Sequence, residues 1–291
     1  MNNTPNSIQY AQDSALGKGS DYVDRYSPEL LHAIQRADYR RTVEHLAQAH
    51  YGHDLWQCYE LSWLNARGLP QVAVASMTVP LNSPAIVESK SLKLYLNSLH
   101  NERFDNGSAV VARIQSDLTA LLQAAVLVEL APVTQGEFAP GALNSQLAEH
   151  PEGLLDTIDI ACEQYQRDAA LLSLSGASGE QGELRQNQWH YSHLLRSHCP
   201  VTTQPDWGTV HICYSGQSIE PASLLRYIVS YRQHCGFHEQ CVEQIYSDIM
   251  QQCQPIELTV YAQYTRRGGL DINPLRSNVD KPFNVARVFR Q

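Results

Sequence analysis

The sequence predicts an α+β protein in which antiparallel sheets are backed by helices and the two halves of the chain repeat one another. Strand-like segments with alternating polar and apolar residues come in pairs, and each pair is followed by segments with the apolar spacing of helices. The same order of elements recurs in the second half of the chain, beyond a stretch rich in Gly, Pro and Asn. These observations favour two similar modules joined by a linker.

The first elements follow a polar arm. Over 28–49 the apolar residues have helical spacing, which predicts a helix. Residues 59–64 alternate between polar and apolar, a Gly-Leu-Pro turn signal follows, and a β-rich run covers 72–79. Together these segments predict a β-hairpin.

The first half is completed by a helix and a strand. Segment 108–122 has the apolar stripe of an amphipathic helix, and the apolar run 125–130 is typical of a strand. The linker is predicted within 132–151, where Gly, Pro and Asn are concentrated.

The second half repeats this order. Strands are predicted over 189–196 and 208–214, helices over 222–233 and 239–252, and a closing strand over 256–264. Glycines 176, 179 and 182 have the spacing of a dinucleotide-binding fingerprint. Strand-like residues follow them instead of an apolar helix, so a hairpin loop is predicted and a Rossmann domain is not.

The repeat can be checked at a fixed offset of 132 positions, and a single gap then aligns the later helices. The identical pairs are Glu88 and Glu220, Ser91 and Ser223, Leu92 and Leu224, Tyr95 and Tyr227, and Ser98 and Ser230. They predict two copies of a ββααββ-like unit. The expected domains are an arm with a helix over 1–50, a first module over 51–135, a linker over 136–155 and a second module over 156–291.

Composition restricts the function. A formal charge of −9 and a pI near 5.7 argue against a general nucleic-acid-binding protein, because that function needs clustered Lys and Arg. Neither a secretory signal nor an apolar run of the roughly 18 residues that a membrane helix needs is present, so we expect a cytoplasmic protein without a membrane partner. Seven scattered cysteines without C-x-x-C spacing favour free thiols.

Cys199 is the first candidate for chemistry. It follows an alternating strand and precedes Pro200, and Asp206 comes seven residues later, beyond a Gln-Pro turn signal. A thiol at a strand end, with a carboxylate returned by a turn, has the parts of a nucleophile and its proton shuttle. The alternative is a buried, inert cysteine.

The segment 234–241 carries two histidines, two cysteines and a glutamate. If it is helical throughout, His234, His238 and Cys241 stack on one face as possible zinc ligands. If the helix begins after the glycine of this segment, His238 and Glu239 lie at its N-terminal end, where the helix dipole favours a glutamate and Glu239 serves equally as a mere cap.

Two further motifs suit a phosphate. Glu88, Ser89 and Lys90 lie at the predicted start of a helix, where free backbone N–H groups favour an anion; a capped surface helix with a solvated lysine is the alternative. Arg267 and Gly268 form part of a basic turn after the closing strand, which suits a phosphate or an exposed hairpin equally.

These segments together resemble the family of NADPH-dependent 7-cyano-7-deazaguanine reductases (QueF), in its long two-module form. The motifs that carry the resemblance, in order within about 55–290, are Glu88-Ser89-Lys90-Ser91-Leu92-Lys93-Leu94-Tyr95, the segment 199–207, the segment 237–241 and Arg267-Gly268-Gly269. The resemblance implies two tandem tunnelling-fold (T-fold) modules, with sites between modules or subunits. The amino-terminal arm contributes nothing specific.

The resemblance also implies an activity. The nitrile of 7-cyano-7-deazaguanine would be reduced to an aminomethyl group by two NADPH, in the route to the queuosine base of tRNA. A thiolate that adds to the nitrile carbon gives a thioimidate, which accepts hydride more readily than the nitrile does. Nucleic acid would not be bound directly, and a homodimer is expected.

The roles implied by the resemblance fall on motif residues. Those for catalysis are Cys199, Asp206 and His238. Those for the substrate are Val87, Glu88, Ser89, His238 and Glu239. Those for NADPH are Ser89, Lys90, Arg267 and Gly268. No metal ligand is expected. The two carboxylates suit the deazaguanine edge, because that edge presents two hydrogen-bond donors.

Two other functions stay open on sequence alone. A zinc-dependent pterin or purine enzyme of the same fold would use His234, His238 and Cys241 as ligands. A non-catalytic purine-binding or assembly protein would explain the repeat and the acidic charge, but not the spacing of Cys199 and Asp206.

Overall fold

The computed structural model describes residues 23–133, 151–176, 183–283 and 285–291. The strands in these ranges are β1 (Ala33–Gln35), β2 (Tyr51–Leu64), β3 (Pro70–Pro80), β4 (Ala85–Val87), β5 (Leu127–Pro132), β6 (Leu184–His198), β7 (Pro205–Gln217), β8 (Glu257–Tyr264) and β9 (Leu270–Ser277). The α-helices are α1 (Arg36–Arg40), α2 (Ser89–Ser98), α3 (Gly107–Leu122), α4 (Pro221–Ser230) and α5 (His238–Cys253). In the part of the chain that the structure describes, no helix has the length and hydropathy to cross a membrane.

Seven strands form one continuous antiparallel sheet in the order β5-β3-β2-β9-β8-β7-β6. The two halves of the chain meet where β2 pairs with β9, from Tyr51 opposite Ser277 to Cys58 opposite Leu270. Each half has its own apolar cluster between the sheet and its pair of helices, α2 and α3 in one half and α4 and α5 in the other. The helices of both halves therefore cover the same face of one shared sheet.

Most predicted elements are confirmed. The predicted hairpin is β2 and β3, the helix predicted over 108–122 is α3, and the strand predicted over 125–130 is β5. In the second half, the strands and helices predicted over 189–264 correspond to β6, β7, α4, α5 and β8. The hydrophobic period was a reliable guide here because each element has one face on the core.

The helix predicted over 28–49 is wrong. Only α1 is α-helical in this range, and Ile34 lies on β1, opposite Ile86 of β4. A short isolated helix has little stability of its own, so tertiary contacts decide the backbone of such a segment. Here a two-stranded pairing with β4 and the burial of the Arg36 side chain outweigh the apolar spacing.

Strand β9 was missed, since β8 was predicted to close the fold. Pro274 stands within β9, and Asp271 and Asn273 interrupt its apolar pattern, which are signals against a central strand. The linker expected over 136–155 falls mostly on 134–150, and the glycine triplet mostly on 177–182; both ranges lie outside the described residues. The domain bounds stay a prediction.

The internal repeat is visible in hydrogen bonds. Tyr95 donates to Asp117 Oδ2 at 2.6 Å, and Tyr227 donates to Asp248 Oδ2 at the same distance. The matched serines behave alike: Ser98 Oγ donates to the Tyr95 carbonyl at 2.7 Å and Ser230 Oγ to the Tyr227 carbonyl at 2.6 Å. The identities at offset 132 therefore mark a duplicated hydrogen-bond framework.

Candidate active site

A cavity of about 320 Å³ lies between α2 of the first half and the β6–β7 connection of the second half. Its lining comprises Ser89, Lys90, Lys93, Cys199, Thr202, Gln204, His238, Arg267, Gly268, Leu270 and Ile272. A narrower recess shares Ser89, Cys199, His238, Arg267 and Ile272 with it and adds Trp56, Ile86, Val87, Asp206, Phe237 and Glu239. Every residue predicted for the site, except Glu88, lines one of these two spaces.

Cys199 follows the last residue of β6, in a tight turn. Its backbone N–H donates to the Gln204 carbonyl at 2.9 Å, and its own carbonyl accepts from Thr203 N–H at 3.0 Å. Thr203 has a φ of 54°, a left-handed conformation that closes the turn. The thiol is 2% exposed, so it is buried yet borders the recess.

Asp206 is placed by the pairing of β6 with β7, where it lies opposite Ser197. Its Oδ2 is 3.3 Å from His238 Nε2, and its Oδ1 forms an ion pair with the Arg267 guanidinium. The carboxylate is 4% exposed. A buried carboxylate between an imidazole and a guanidinium can accept a proton and pass it on.

His238 is the first residue of α5, and its ring stacks on Tyr264 with centroids 3.8 Å apart. Neither ring nitrogen has hydrogen-bond geometry with any other residue of the described ranges, although the ring is 5% exposed. A buried imidazole of this kind keeps its hydrogen-bonding capacity for a ligand.

The start of α5 decides between the two interpretations of segment 234–241. Because the helix begins at His238, His234 lies before it, and the predicted zinc face at i, i+4 and i+7 does not form. Over the described ranges, the structure contains no group of three or more His, Cys, Asp or Glu residues that could hold a metal ion. The interpretation with His238 and Glu239 at the helix N-terminus is confirmed.

Glu239 is 2% exposed and borders the recess. At the start of α5 the Phe237 N–H is satisfied by another side chain, since it donates to Gln240 Oε1 at 3.0 Å. Burial, together with the negative charge of Asp54, raises the pKa of Glu239 to about 8. Its own backbone N–H donates a hydrogen bond to the carboxylate, but no side chain in the described part of the chain does, so the carboxylate keeps acceptor capacity for a ligand.

Glu88 caps α2 and does not line the cavity. Its two carboxylate oxygens accept the N–H groups of Lys90 and Ser91, each at 2.8 Å, and the side chain is 1% exposed. The capping alternative therefore accounts for Glu88 in this structure, although Ser89 and Lys90 beside it do line the cavity. Its substrate role stays a prediction.

Lys93 was not among the predicted site residues, but it lines the cavity together with Lys90. The signal was in the sequence, because residues three apart on a helix share a face. Its Nζ lies 3.5 Å from Glu60 Oε2, at an exposed position.

The turn after β8 presents Arg267 to the site. Gly268 and Gly269 have φ values of +59° and +79°, which favour glycine. A Cβ on Gly269 would lie 2.4 Å from Glu60 Cδ, so a side chain could not be accommodated without movement of Glu60. The turn places the Arg267 guanidinium against Asp206 and in the cavity wall.

The fold and this pocket define the class of protein: an α+β enzyme in which a cysteine, an imidazole and carboxylates share a recess beside a cavity lined by cations. The family model described as nitrile reductase, 7-cyano-7-deazaguanine-reductase N-term, matches residues 22–130, and the model described as QueF-like protein matches residues 205–282. Curated relatives identify the family further.

The chain is 49% identical over 282 residues to the NADPH-dependent 7-cyano-7-deazaguanine reductase of Verminephrobacter eiseniae, covering 96% of this chain and 97% of the relative. It is 48% identical over 283 residues to the enzyme of the same name from Paraburkholderia xenovorans, covering 96% and 99%. The relative from Azoarcus sp. is 47% identical over 295 residues, with both chains covered completely. The chain belongs to the QueF family of NADPH-dependent 7-cyano-7-deazaguanine reductases, and the expected fold, with antiparallel strands of two T-fold modules backed by helices, is confirmed.

Proposed function

We propose that this protein reduces the nitrile of 7-cyano-7-deazaguanine to 7-aminomethyl-7-deazaguanine with two NADPH, in the route to queuosine in tRNA. The observation that carries the proposal is the recess in which Cys199, Asp206, His238 and Glu239 meet, in a chain of this family. A nitrile resists hydride attack, and a buried thiol beside a proton carrier is the arrangement that activates it.

The first step is the addition of Cys199 to the nitrile carbon. The sulfur forms a bond to carbon while one π bond of the nitrile breaks, which gives a thioimidate. Asp206 takes the thiol proton and delivers it to the nitrile nitrogen. The 3.3 Å contact with His238 supports this role, because the imidazole can stabilise the carboxylate or relay its proton.

Reduction follows in two stages. NADPH supplies hydride, and the chain orients the acceptor carbon and controls protons. Addition of hydride to the thioimidate carbon, followed by cleavage of the C–S bond, leaves an imine and returns the Cys199 thiolate. A second hydride at carbon and a proton at nitrogen give the amine. His238, whose Nε2 lies 3.3 Å from Asp206 Oδ2 and whose Nδ1 has no hydrogen-bond partner in the described ranges, is suitably placed to donate that proton.

The deazaguanine edge presents an amino group and a ring N–H, and Glu239 is suited to accept from both. The available carboxylate of Glu239 supports this assignment. Val87 and Ser89 line the same recess and would contact the base. Glu88 is proposed to act on this side of the site as the residue that fixes the backbone of Ser89 and Lys90.

The cavity beside the recess fits the phosphates of NADPH. Lys90, Lys93 and Arg267 supply cationic donors, and Ser89 supplies a hydroxyl at the N-terminal turn of α2. Gly268 leaves its backbone open to close approach, because it carries no side chain.

The expected partners follow from the family. We propose a homodimer in the cytoplasm, which acts on the free base and does not bind nucleic acid directly. The formal charge of −9 supports the last point, since a phosphate backbone would be repelled by most of the surface.

The test is intact-mass analysis of the protein mixed with 7-cyano-7-deazaguanine in the absence of NADPH. Addition has no leaving group, so the expected gain equals the whole mass of the nitrile. Cys199→Ala should abolish the adduct, whereas Cys235→Ala, which removes a more exposed thiol nearby, should retain it. Tight binding of the nitrile to wild-type protein without any gain in mass would refute the covalent mechanism.

A further inference from the structure

A buried ion network lies next to the recess and joins four elements of the fold. Its fully buried members are Arg36 of α1, Asp54 of β2, Glu243 of α5 and Arg276 of β9, none more than 1% exposed, and the partly buried Arg40 of α1 also pairs with Glu243, at 2.7 Å. Arg276 contacts Glu243 at 2.7 Å and Asp54 at 2.8 Å. Arg36 forms ion pairs with Asp54 and, at 3.3 Å, with Glu243. Charges buried this completely require such mutual pairing.

The network is close to the substrate recess on two sides. Glu243 lies one helical turn after Glu239, so the two side chains share a face of α5. Asp54 lies two residues before Trp56 on β2, and Trp56 lines the recess. The network therefore adjoins recess-lining residues of both the sheet and the helix.

Arg36 also contacts the segment that leads into β4, the strand whose last residue, Val87, lines the recess. Its backbone N–H donates to the Pro84 carbonyl at 2.9 Å, and its Nε donates to Ser83 Oγ at 3.0 Å. Ser83 Oγ in turn donates to the Ala85 carbonyl, at the start of the strand that ends in Val87. One side chain from the amino-terminal segment is thus connected to Val87 and to α5.

We propose that Arg36 is a positioning residue of the substrate recess, which acts through Asp54 and Glu243 to hold the Glu239 carboxylate in place and to supply positive charge beside it. The inference rests on the proposed function, because it assigns to Glu239 the recognition of the base. It also gives the amino-terminal segment a role: that segment completes the site electrostatically without contacting the substrate.

Electrostatics supports this role. The titratable or charged groups around Glu239 are Arg36 and Tyr39 from α1, Asp54 from β2, Arg276 from β9, and His238, Cys241 and Glu243 on α5. Burial and the charge of Asp54 raise the pKa of Glu239 to about 8, while Arg36 and Arg276 act in the opposite direction. Loss of the Arg36 charge must raise this pKa further, and loss of the Asp54 charge must lower it.

The test measures KM for 7-cyano-7-deazaguanine and kcat against pH, at saturating NADPH. With its pKa at about 8, Glu239 is largely protonated at neutral pH, so KM should fall as the pH rises through that value. In Arg36→Met this fall should move to higher pH by about one unit, with KM raised about tenfold near pH 7.5 and kcat changed by less than about twofold. Arg36→Lys should restore part of the shift.

Two further variants distinguish the loss of a positioning role from a general loss of structure. Asp54→Asn should move the profile in the opposite direction, to lower pH, which a loss of structure cannot reproduce. Arg41→Met removes an arginine of the same segment that is 71% exposed and paired with Asp38, and it should leave the profile unchanged. If Arg36→Met does not fold, Asp54→Asn and Arg36→Lys decide the matter.

Glu239→Gln distinguishes this inference from the proposed function. A large rise of KM in Glu239→Gln with no pH shift in the Arg36 and Asp54 variants would overturn the inference alone. An unchanged KM in Glu239→Gln would overturn the assignment of the base-binding carboxylate, and the inference with it. Opposite shifts for Arg36→Met and Asp54→Asn, lost in the Glu239→Gln background, would establish the role of Arg36.

Discussion

The helix pair of the first half, α2 and α3, can be compared with the pair α4 and α5 of the second half. The short helix of each pair is capped by a glutamate, Glu88 in one and Glu220 in the other. The long helix of each pair ends at a glutamine with a left-handed backbone, Gln123 at φ 52° and Gln254 at φ 47°. The framework has therefore been kept in both halves, down to the conformation of single residues.

The residues that face the cavity differ. After the capping glutamate, the first half has Ser89 and Lys90, whereas the second half has Pro221 and Ala222. The long helix begins with Gly107 and Ser108 in the first half but with His238 and Glu239 in the second. A duplicated framework can thus divide one site between its copies, because the residues at the helix starts that border the site differ while the packing of the helix bodies is kept.

The largest effect should come from Asp206. Asp206 and Gln71 occupy matching positions, since each follows the proline that begins its strand and lies opposite the second-last residue of the preceding strand. Asp206→Asn should lower kcat by about 10² to 10⁴, the range for loss of a general acid or base. Gln71→Ala should leave it unchanged. Steady-state kinetics at saturating substrates measures both, and a loss of less than tenfold in Asp206→Asn would contradict the proton-carrier role.

A smaller effect is expected at Lys90. Lys90→Ala should raise KM for NADPH about 10- to 100-fold, as loss of a charged contact to a phosphate does, with a smaller change in kcat. Arg226→Ala is the matched control, because Arg226 is a cation on the corresponding helix of the second half, α4. Initial rates at varied NADPH and two salt concentrations test this. An equal rise in both variants would mean that general surface charge, and not the α2 site, attracts the cofactor.

The smallest effect concerns stability. Tyr227→Phe should lower the free energy of unfolding by about 2 kcal/mol and Tyr95→Phe by about 1 kcal/mol, since both remove a hydrogen bond to a carboxylate. The larger value is expected for Tyr227 because its hydroxyl also contacts the Tyr231 hydroxyl at 3.0 Å, in a fully buried position. Urea unfolding of both variants measures the difference. Equal losses would show that this added contact contributes little.

The sequence was sufficient to predict those helices and strands whose residue pattern has a single local cause. The stripe of α3 and the alternation of β2 and β3 arise from one buried face, so their period could be recognised. The turn that returns Asp206 towards Cys199 could be predicted for the same reason, because its signal lies in neighbouring residues. The sequence allows two starting points for α5, because a glycine before His238 is compatible with either boundary.

Long-range features could not be predicted. Arg36 and Glu243 are 207 residues apart in the chain, and nothing in either segment indicates a buried ion pair. Strand β9 was missed because Pro274 and two polar residues obscure its pattern, although its neighbours β2 and β8 accommodate them. The roles of the motif residues came from the resemblance to the family, and geometry shows only that nearly all of them meet in one place.

The pairing of β2 with β9 also has a consequence for synthesis of the chain. Tyr51 pairs with Ser277, so one edge of β2 stays open until the chain as far as Ser277 has left the ribosome. Contacts of such long sequence separation are formed late, because closing the loop between them costs entropy before any stabilisation is gained. During that interval a nascent chain exposes the edge of β2 to other chains, and loss of the final strand would make this exposure permanent.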